Sequence, residues 1–147
     1  MQSITALIDH LSNSSAANHD KLSLAVSQSL ESELTQLIKR SDDIDGAMIS
    51  SVDGMAWAHH ARAHFDADRF AAMSSALIAL CDSLAQESKR GEPRNVLIES
   101  QGGNILALHA GATLLLTVFT KGSAPLGIAL AHARQCAERI SGLAIAA

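Results

Sequence analysis

Seven histidines are the residues of this 147-residue chain with the clearest capacity for chemistry, because neutral imidazole is a common metal ligand. The closest set is His59, His60 and His64. His59 and His60 are consecutive in a predicted strand, so their side chains point to opposite faces and cannot both ligate one ion without a bend. No H-E-x-x-H motif and no nearby cysteine completes the set. These histidines are predicted to be solvated or to face a partner, and no metal or other cofactor is expected.

Clustered carboxylates are the second candidate, at Asp42, Asp43 and Asp45 and again at Asp66 and Asp68. Acid–base catalysis on a glycoside needs two carboxylates held across a cleft. Helix capping and solvation explain these positions better. The motifs G-x-x-x-x-G-K-[ST], G-x-G-x-x-G and G-x-S-x-G are all missing. The sequence therefore predicts a protein that is not an enzyme and that does not bind guanine nucleotide by itself.

Composition argues against nucleic acid as a partner, since aromatic residues make up 3% of the chain and the net charge is −4. The single tryptophan, Trp57, lies in a predicted strand; packing is the favoured interpretation, and anchoring of a partner is the alternative. Cys81 and Cys136 fall within apolar helical patterns and are predicted to be reduced structural thiols.

Membrane and export signals are not found in the sequence. The N-terminus has no positively charged region before an apolar core, and Asp9 and His10 interrupt its apolar segment. The longest apolar run, near Leu114–Phe119, is far shorter than the roughly 20 residues that a membrane span needs. We expect no membrane span and a soluble, cytoplasmic protein.

Apolar spacing divides the chain into an N-terminal extension, residues 1–19, and one domain, residues 20–147. The extension has apolar residues on one face of a short predicted helix, followed by a polar linker (SNSSAANHD). A helix this short is marginal by itself, so it must dock or fray. The apolar positions are Ile4, Leu7, Ile8 and Leu11.

The domain is predicted to have the element order α–β–β–α–β–β–β–α. Its first helix runs from about Lys21 to Arg40 with Asp20 as N-cap. Asp53-Gly54 predicts a tight turn between two strands, because glycine accepts a positive φ without steric cost.

The ends of the later helices carry their own signals. The middle helix is predicted to begin at Asp66, with Phe65 and Phe70 forming a hydrophobic staple. Lys89 and Arg90 are placed in its last turn, and Gly91 is expected to end it. The final helix is predicted to start near Ser123, with Pro125 in its first turn.

Two strands define the predicted sheet. The segment Ala112–Phe119 is apolar on both faces, which is typical of a central strand covered by helices on both sides. The segment Asn95–Ser100 is short and apolar with one charge, so it is interpreted as a pairing edge; an interior strand is the alternative.

These segments resemble the Roadblock/dynein-light-chain family, particularly its bacterial branch, over about Leu22–Ala144. The segments that carry the resemblance are, in order, IDGAMISSVDGMAWA, FAAMSSALIALCDSLAQES, RGEPRNVLIES, a GGN turn and APLGIAL. The resemblance implies a three-layer α-β-α sandwich of profilin-like architecture. Its five-stranded antiparallel sheet would have the order 2-1-5-4-3, with the first and last helices on one face and the middle helix on the other.

The resemblance also implies a function. Family members dimerise through the third strand and the middle helix, and they bind Ras-like small GTPases or act as adaptors. We therefore expect a non-catalytic homodimeric regulator or scaffold for such a GTPase; the alternative is a small-molecule sensor or adaptor domain of a signalling assembly. The dimer interface implied for this chain comprises Leu77, Cys81, Leu84, Val96, Leu97 and Ile98.

Three arginines, Arg62, Arg69 and Arg90, are possible contacts for the GTPase. An arginine entering a partner's active site can offset charge in the transition state. The favoured interpretation is that these three are solvated charges near the helix ends.

Overall fold

Residues 24–146 are described by a computed structural model, and the predicted short helix, the linker and the Asp20 N-cap lie outside that range. The element order within it is the predicted α–β–β–α–β–β–β–α. The elements are α1 (24–40), β1 (Ile44–Ser51), β2 (Ala56–Ala61), α2 (Ala67–Glu87), β3 (Val96–Ser100), β4 (Gly103–Ala110), β5 (Leu114–Thr120) and α3 (Leu126–Ala146).

The five strands form one antiparallel sheet in the order β2-β1-β5-β4-β3, which confirms the predicted topology. Strand β5 is central, and all but one of its residues are buried. Its apolar character on both faces follows from this position, because helices cover it from both sides. Strands β2 and β3 are the two edges of the sheet.

The larger core lies between the sheet and the pair α1 and α3. Leu30, Leu34 and Leu37 of α1 are almost completely buried there, and so is Ile140 of α3. The two helices are also joined directly, since Arg139 Nε donates to Glu33 Oε2 at 2.8 Å. This layer contains most of the buried apolar residues of the described range, whose burial is the main favourable contribution to folding.

The smaller core lies on the opposite face, beneath α2. Ile78 packs there with Ala107 of β4 and Leu115 of β5, and Val96 of β3 completes the cluster. Of the three helices in the described range, α2 is the one on this face of the sheet, and the predicted three-layer sandwich is confirmed.

The β1–β2 turn has the predicted geometry. Gly54 has a φ of +98°, and its amide donates to the Ser51 carbonyl at 3.0 Å. The start of α2 is also as predicted, because the Asp66 carboxylate accepts from the Arg69 amide at 3.2 Å. The Phe65 and Phe70 rings meet edge to face with centroids 5.7 Å apart, which is the expected hydrophobic staple.

The prediction that Lys89 and Arg90 lie in the last turn of α2 is wrong. The helix ends at Glu87, and Lys89 adopts a left-handed conformation with a φ of 60°. Its amide donates to the Gln86 carbonyl at 2.9 Å, and the Arg90 amide donates to the Ala85 carbonyl at 2.8 Å. This is a Schellman motif in which lysine occupies the position that glycine usually takes, so Gly91 does not end the helix.

Helix α3 starts at Leu126, later than predicted. The Ala124 amide donates to the Lys121 carbonyl at 3.1 Å, so the preceding residues form a turn. Pro125 comes just before the helix rather than within its first turn, and its carbonyl accepts from the Ala129 amide. No helix within residues 24–146 is long and apolar enough to cross a membrane.

Candidate interaction surface

Helix α2 rests on the sheet through small side chains. Ala71, Ser74 and Ile78 are its buried residues, at the three- and four-residue spacing of one helical face. Ser75 extends this attachment, since its hydroxyl donates to the Val52 carbonyl at 2.6 Å. The small residues Ala71 and Ser74 let the helix approach the sheet closely, and besides Phe70 and Ile78 its larger apolar side chains lie elsewhere.

Those larger side chains form an exposed stripe along α2, which we call the α2 flank: Met73, Leu77, Leu80 and Leu84. Met73, Leu80 and Leu84 are 52%, 59% and 61% exposed, whereas Leu77 is half-buried. Steps of four, three and four residues place the side chains on one side of the helix. Contiguous apolar surface of this kind marks an interaction site on a soluble protein.

The sheet contributes a second apolar element on the same side. Ile98, Ile105 and Phe119 lie directly opposite one another on β3, β4 and β5, and all three are half-buried. Ile105 shares a face with Ala107, which packs beneath α2, because side chains two residues apart point the same way. We call these three residues the sheet row.

Aromatic contacts join α2 to the sheet row. The Phe70 ring of α2 meets the Phe119 ring edge to face with centroids 4.9 Å apart, and Phe65 contacts both rings. Gly46 of β1 makes room for Phe119, since a Cβ there would lie 3.0 Å from the phenylalanine ring and 2.8 Å from Ala61 Cβ. The cluster therefore fixes the start of α2 beside one end of the sheet row.

Strand β3 borders this surface as an edge strand, as predicted. It carries five residues, one of which, Glu99, is charged. Val96 packs beneath α2, and Ile98 lies on that face as well. Leu97 points to the other face, because its cross-strand partner Leu106 belongs to the core beneath α1 and α3. The outer backbone groups of β3 are thus available to another strand.

The structure therefore places the six residues predicted to form a dimer interface in different environments. Leu77, Leu84 and Ile98 belong to the α2 flank and the sheet row. Cys81 and Val96 are half-buried, and Leu97 lies on the opposite sheet face at 36% exposure. The predicted set omitted Met73 and Leu80, two of the three exposed large apolar side chains of the helix. Their spacing from Leu77 and Leu84 was the signal that would have included them.

The three predicted partner arginines do not form one cluster. Arg62 Nε is 3.8 Å from Asp45 Oδ1, in an ion pair whose side chains are about half exposed. Arg69 lies in the first turn of α2, and Arg90 follows the end of that helix, roughly 30 Å away at 1.5 Å per residue. The Arg90 guanidinium donates to the Ser88 carbonyl at 2.6 Å.

The remaining polar and titratable groups of the described residues make separate contacts. His59 contacts Phe65 edge to face with ring centroids 5.5 Å apart, and no group of three or more metal-ligating side chains occurs in residues 24–146. His109 of β4 lies 3.7 Å from Asp82 of α2 beside an open cavity of about 520 Å³. Burial raises the pKa of the Cys136 thiol to about 11, which keeps this thiol protonated and unreactive.

Trp57 lies at the outer edge of the sheet rather than in the core. Strands β1 and β2 shift register between Ile49 and Ser50, whose partners are Ala58 and Ala56. Trp57 is the extra residue of this β-bulge, and it is 38% exposed. Trp57 is therefore outside the buried core, and its packing on the sheet face and its anchoring of a partner both stay predictions.

Comparison with known proteins gives this architecture a family. The Roadblock/LC7 domain family matches residues 30–120. The uncharacterized protein MJ0714 of Methanocaldococcus jannaschii is 26% identical over 106 residues, which cover 72% of this chain and 89% of that protein.

Solved structures share the fold. The Roadblock/LC7 domain from Streptomyces avermitilis has a TM-score of 0.73 at 21% identity and covers 78% of this chain and 97% of its own. The gliding protein MglB from Thermus thermophilus has a TM-score of 0.75 at 19% identity, covering 84% and 93%. Profilin IB of Acanthamoeba castellanii has a TM-score of 0.59 at 13% identity, covering 76% and 96%, which confirms the profilin-like architecture.

The family match covers more than half of the chain, and the solved Roadblock/LC7 domain shares its fold. The chain belongs to the Roadblock/LC7 domain family.

Proposed function

We propose that this chain is a non-catalytic homodimeric regulator or scaffold that binds a Ras-like small GTPase in the cytoplasm and modulates its GTPase cycle or its localisation. Family membership and the fold shared with MglB support this proposal. The observation that carries it is the joint exposure of the α2 flank and of the β3 edge, whose Val96 and Ile98 lie on the sheet face that α2 covers.

Dimerisation is the first element of the proposal. Pairing two β3 edges antiparallel would join two five-stranded sheets into one of ten strands, and each α2 flank would then cover apolar surface of the second copy. The arrangement is isologous, because the same patch is used twice. A stable interface of this kind buries on the order of 1,600 Å² in total.

GTPase binding is the second element. The chain itself has no phosphate-binding loop, so any nucleotide in the complex would belong to the partner. The arginines Arg62, Arg69 and Arg90 are solvent-accessible and far from forming one site. We therefore propose that the dimer acts by docking and reordering the switch loops of the GTPase, with the paired α2 helices as docking surface, rather than by inserting an arginine.

The test is direct binding between the purified full chain and each Ras-like GTPase encoded by the same genome, loaded with GDP or with a non-hydrolysable GTP analogue. We expect saturable binding to one GTPase that depends on the bound nucleotide. If none of these GTPases binds in either state, the proposal is wrong. A thermal-shift panel of metabolites with the chain alone would favour the sensor alternative if one compound raised the melting temperature.

A further inference from the structure

A second exposed apolar surface lies at the opposite edge of the sheet from β3. It consists of Leu24 at the start of α1, Met55 in the β1–β2 turn and Trp57 in β2, and we call it the hairpin edge. Leu24 is 61% exposed, Met55 is 66% exposed and Trp57 is 38% exposed. Met55 and Trp57 flank Ala56 at the start of the edge strand β2, and exposed apolar side chains at a sheet edge favour an interaction there.

Two contacts place the start of α1 beside Trp57. The Ser27 hydroxyl donates to the Trp57 carbonyl at 3.1 Å, and Glu31 lines the same open cleft of about 490 Å³ as Trp57. Residues 24, 27 and 31 share one helical face, since they are separated by three and four positions. Leu24 therefore lies on the side of α1 that faces Trp57, one turn before Ser27.

The N-terminal part of the chain joins the described range at Leu24, which belongs to this surface. Residues 1–23 precede Leu24 and contain four apolar residues at a helical spacing, Ile4, Leu7, Ile8 and Leu11. The twelve residues 12–23 between that segment and Leu24 can span at most about 40 Å. The segment is thus tethered close to an exposed apolar surface of matching character.

The α2 flank is the competing surface for the segment. It lies on the opposite face of the sheet from α1, since Ile78 of α2 and Leu34 of α1 belong to different cores. The effective concentration of a tethered segment falls as the distance that the tether must cover grows. The hairpin edge, which begins where the tether begins, is therefore favoured over the α2 flank.

We infer that residues 3–11 dock on the hairpin edge of their own chain, with Ile4, Leu7, Ile8 and Leu11 against Leu24, Met55 and Trp57. The docked segment covers the bulged edge of β2 and leaves the α2 flank and the β3 edge to the dimer. This inference does not depend on the identity of any GTPase partner.

Trp57 provides the readout, because the chain has one tryptophan and no tyrosine. Its emission and its quenching by acrylamide would be measured in the full chain and in the double variant Leu7→Asp, Ile8→Asp. The matched control is Ser12→Asp, Ser14→Asp, which adds the same charge to the tether. Each buried apolar side chain that is lost lowers the docking equilibrium constant roughly tenfold or more.

We expect the Leu7 and Ile8 double variant to shift Trp57 emission to longer wavelength and to raise acrylamide quenching, while the control matches the unaltered chain. Far-ultraviolet circular dichroism and the melting temperature would verify that each variant folds. Identical emission and quenching in all three proteins would overturn the inference. A difference that vanishes on dilution would also overturn it, because the segment would then come from a second copy.

Discussion

Phe70 on α2 and Phe119 on β5 place their ring centroids 4.9 Å apart at an interplanar angle of 72°, the shortest of the edge-to-face contacts within residues 24–146. Within residues 24–146, this pair joins the one helix on its face of the sheet to the central strand. It also lies at one end of the sheet row. The geometry of the proposed interface therefore depends on this contact.

The Phe70–Phe119 pair is predicted to stabilise the fold by more than the burial of its apolar area alone would. A double-mutant cycle with Phe70→Leu and Phe119→Leu should give a coupling free energy of about 0.5–1.5 kcal/mol, because edge-to-face rings attract beyond burial alone. Urea unfolding of the unaltered chain, the two single variants and the double variant measures this coupling free energy. Strictly additive losses in the free energy of unfolding would show that the two rings do not interact.

Lys89 is predicted to be a strained position. A lysine in the left-handed region costs energy that glycine does not, whereas glycine adds entropy to the unfolded chain. Lys89→Gly should therefore raise the free energy of unfolding by about 0.5–1 kcal/mol. The matched control Arg90→Gly should lower it slightly. An unchanged or lower melting temperature for Lys89→Gly would contradict the Schellman assignment.

Cys136 is predicted to make stability depend on alkaline pH. Its thiol has an ordinary pKa of 9.0, and burial raises the pKa in the fold to about 11. The unfolded chain therefore loses this proton first as the pH rises. The free energy of unfolding should be unaffected by this group below about pH 9 and should fall between pH 9 and 11, by up to roughly 2–3 kcal/mol.

The control for that prediction is Cys136→Ala, which removes the ionisable group and leaves the other titrating residues in place. The difference in unfolding free energy between the two proteins should narrow above pH 9. A difference that stays constant from pH 8 to pH 11 would mean that Cys136 does not ionise with the shifted pKa.

Arg62, Arg69 and Arg90 are predicted to be dispensable for stimulating GTP hydrolysis by the GTPase. Turnover of the cognate GTPase should be measured with Arg62→Ala, Arg69→Ala and Arg90→Ala in separate variants. We expect each stimulated rate to stay within about tenfold of the unaltered chain, because docking does not require one inserted cation. Loss of more than about a hundredfold with binding intact would identify an inserted arginine and overturn the docking proposal.

Local signals in the sequence predicted much of this fold. Asp66 and the Phe65–Phe70 pair indicated where α2 starts, and Gly54 indicated the hairpin turn. Each of these signals depends on residues that are fewer than six positions apart. The end of α2 was misplaced because Lys89 takes a conformation that glycine usually signals. The exposure of Trp57 could not be predicted, since it depends on a register shift between two strands.

The candidate site shows the same division between local and long-range information. Periodicity indicated that Leu77 and Leu84 share one side of α2, and the edge position of β3 was expected from its composition and from the family resemblance. Long-range packing decides whether the helix face with the larger side chains or the face with the smaller side chains meets the sheet. The small residues Ala71 and Ser74 take the buried positions here, which leaves Met73 and Leu80 in solvent.

The most direct test of the proposed homodimer is sedimentation of the full chain at tens of micromolar, beside Leu84→Asp and the matched control Ser83→Asp. Leu84 belongs to the α2 flank, whereas Ser83 is an exposed neighbour on another side of the same helix. We predict that the unaltered chain and Ser83→Asp sediment as dimers and that Leu84→Asp sediments as a folded monomer. A monomeric unaltered chain, or a Leu84→Asp variant that stays dimeric, would contradict the proposed interface.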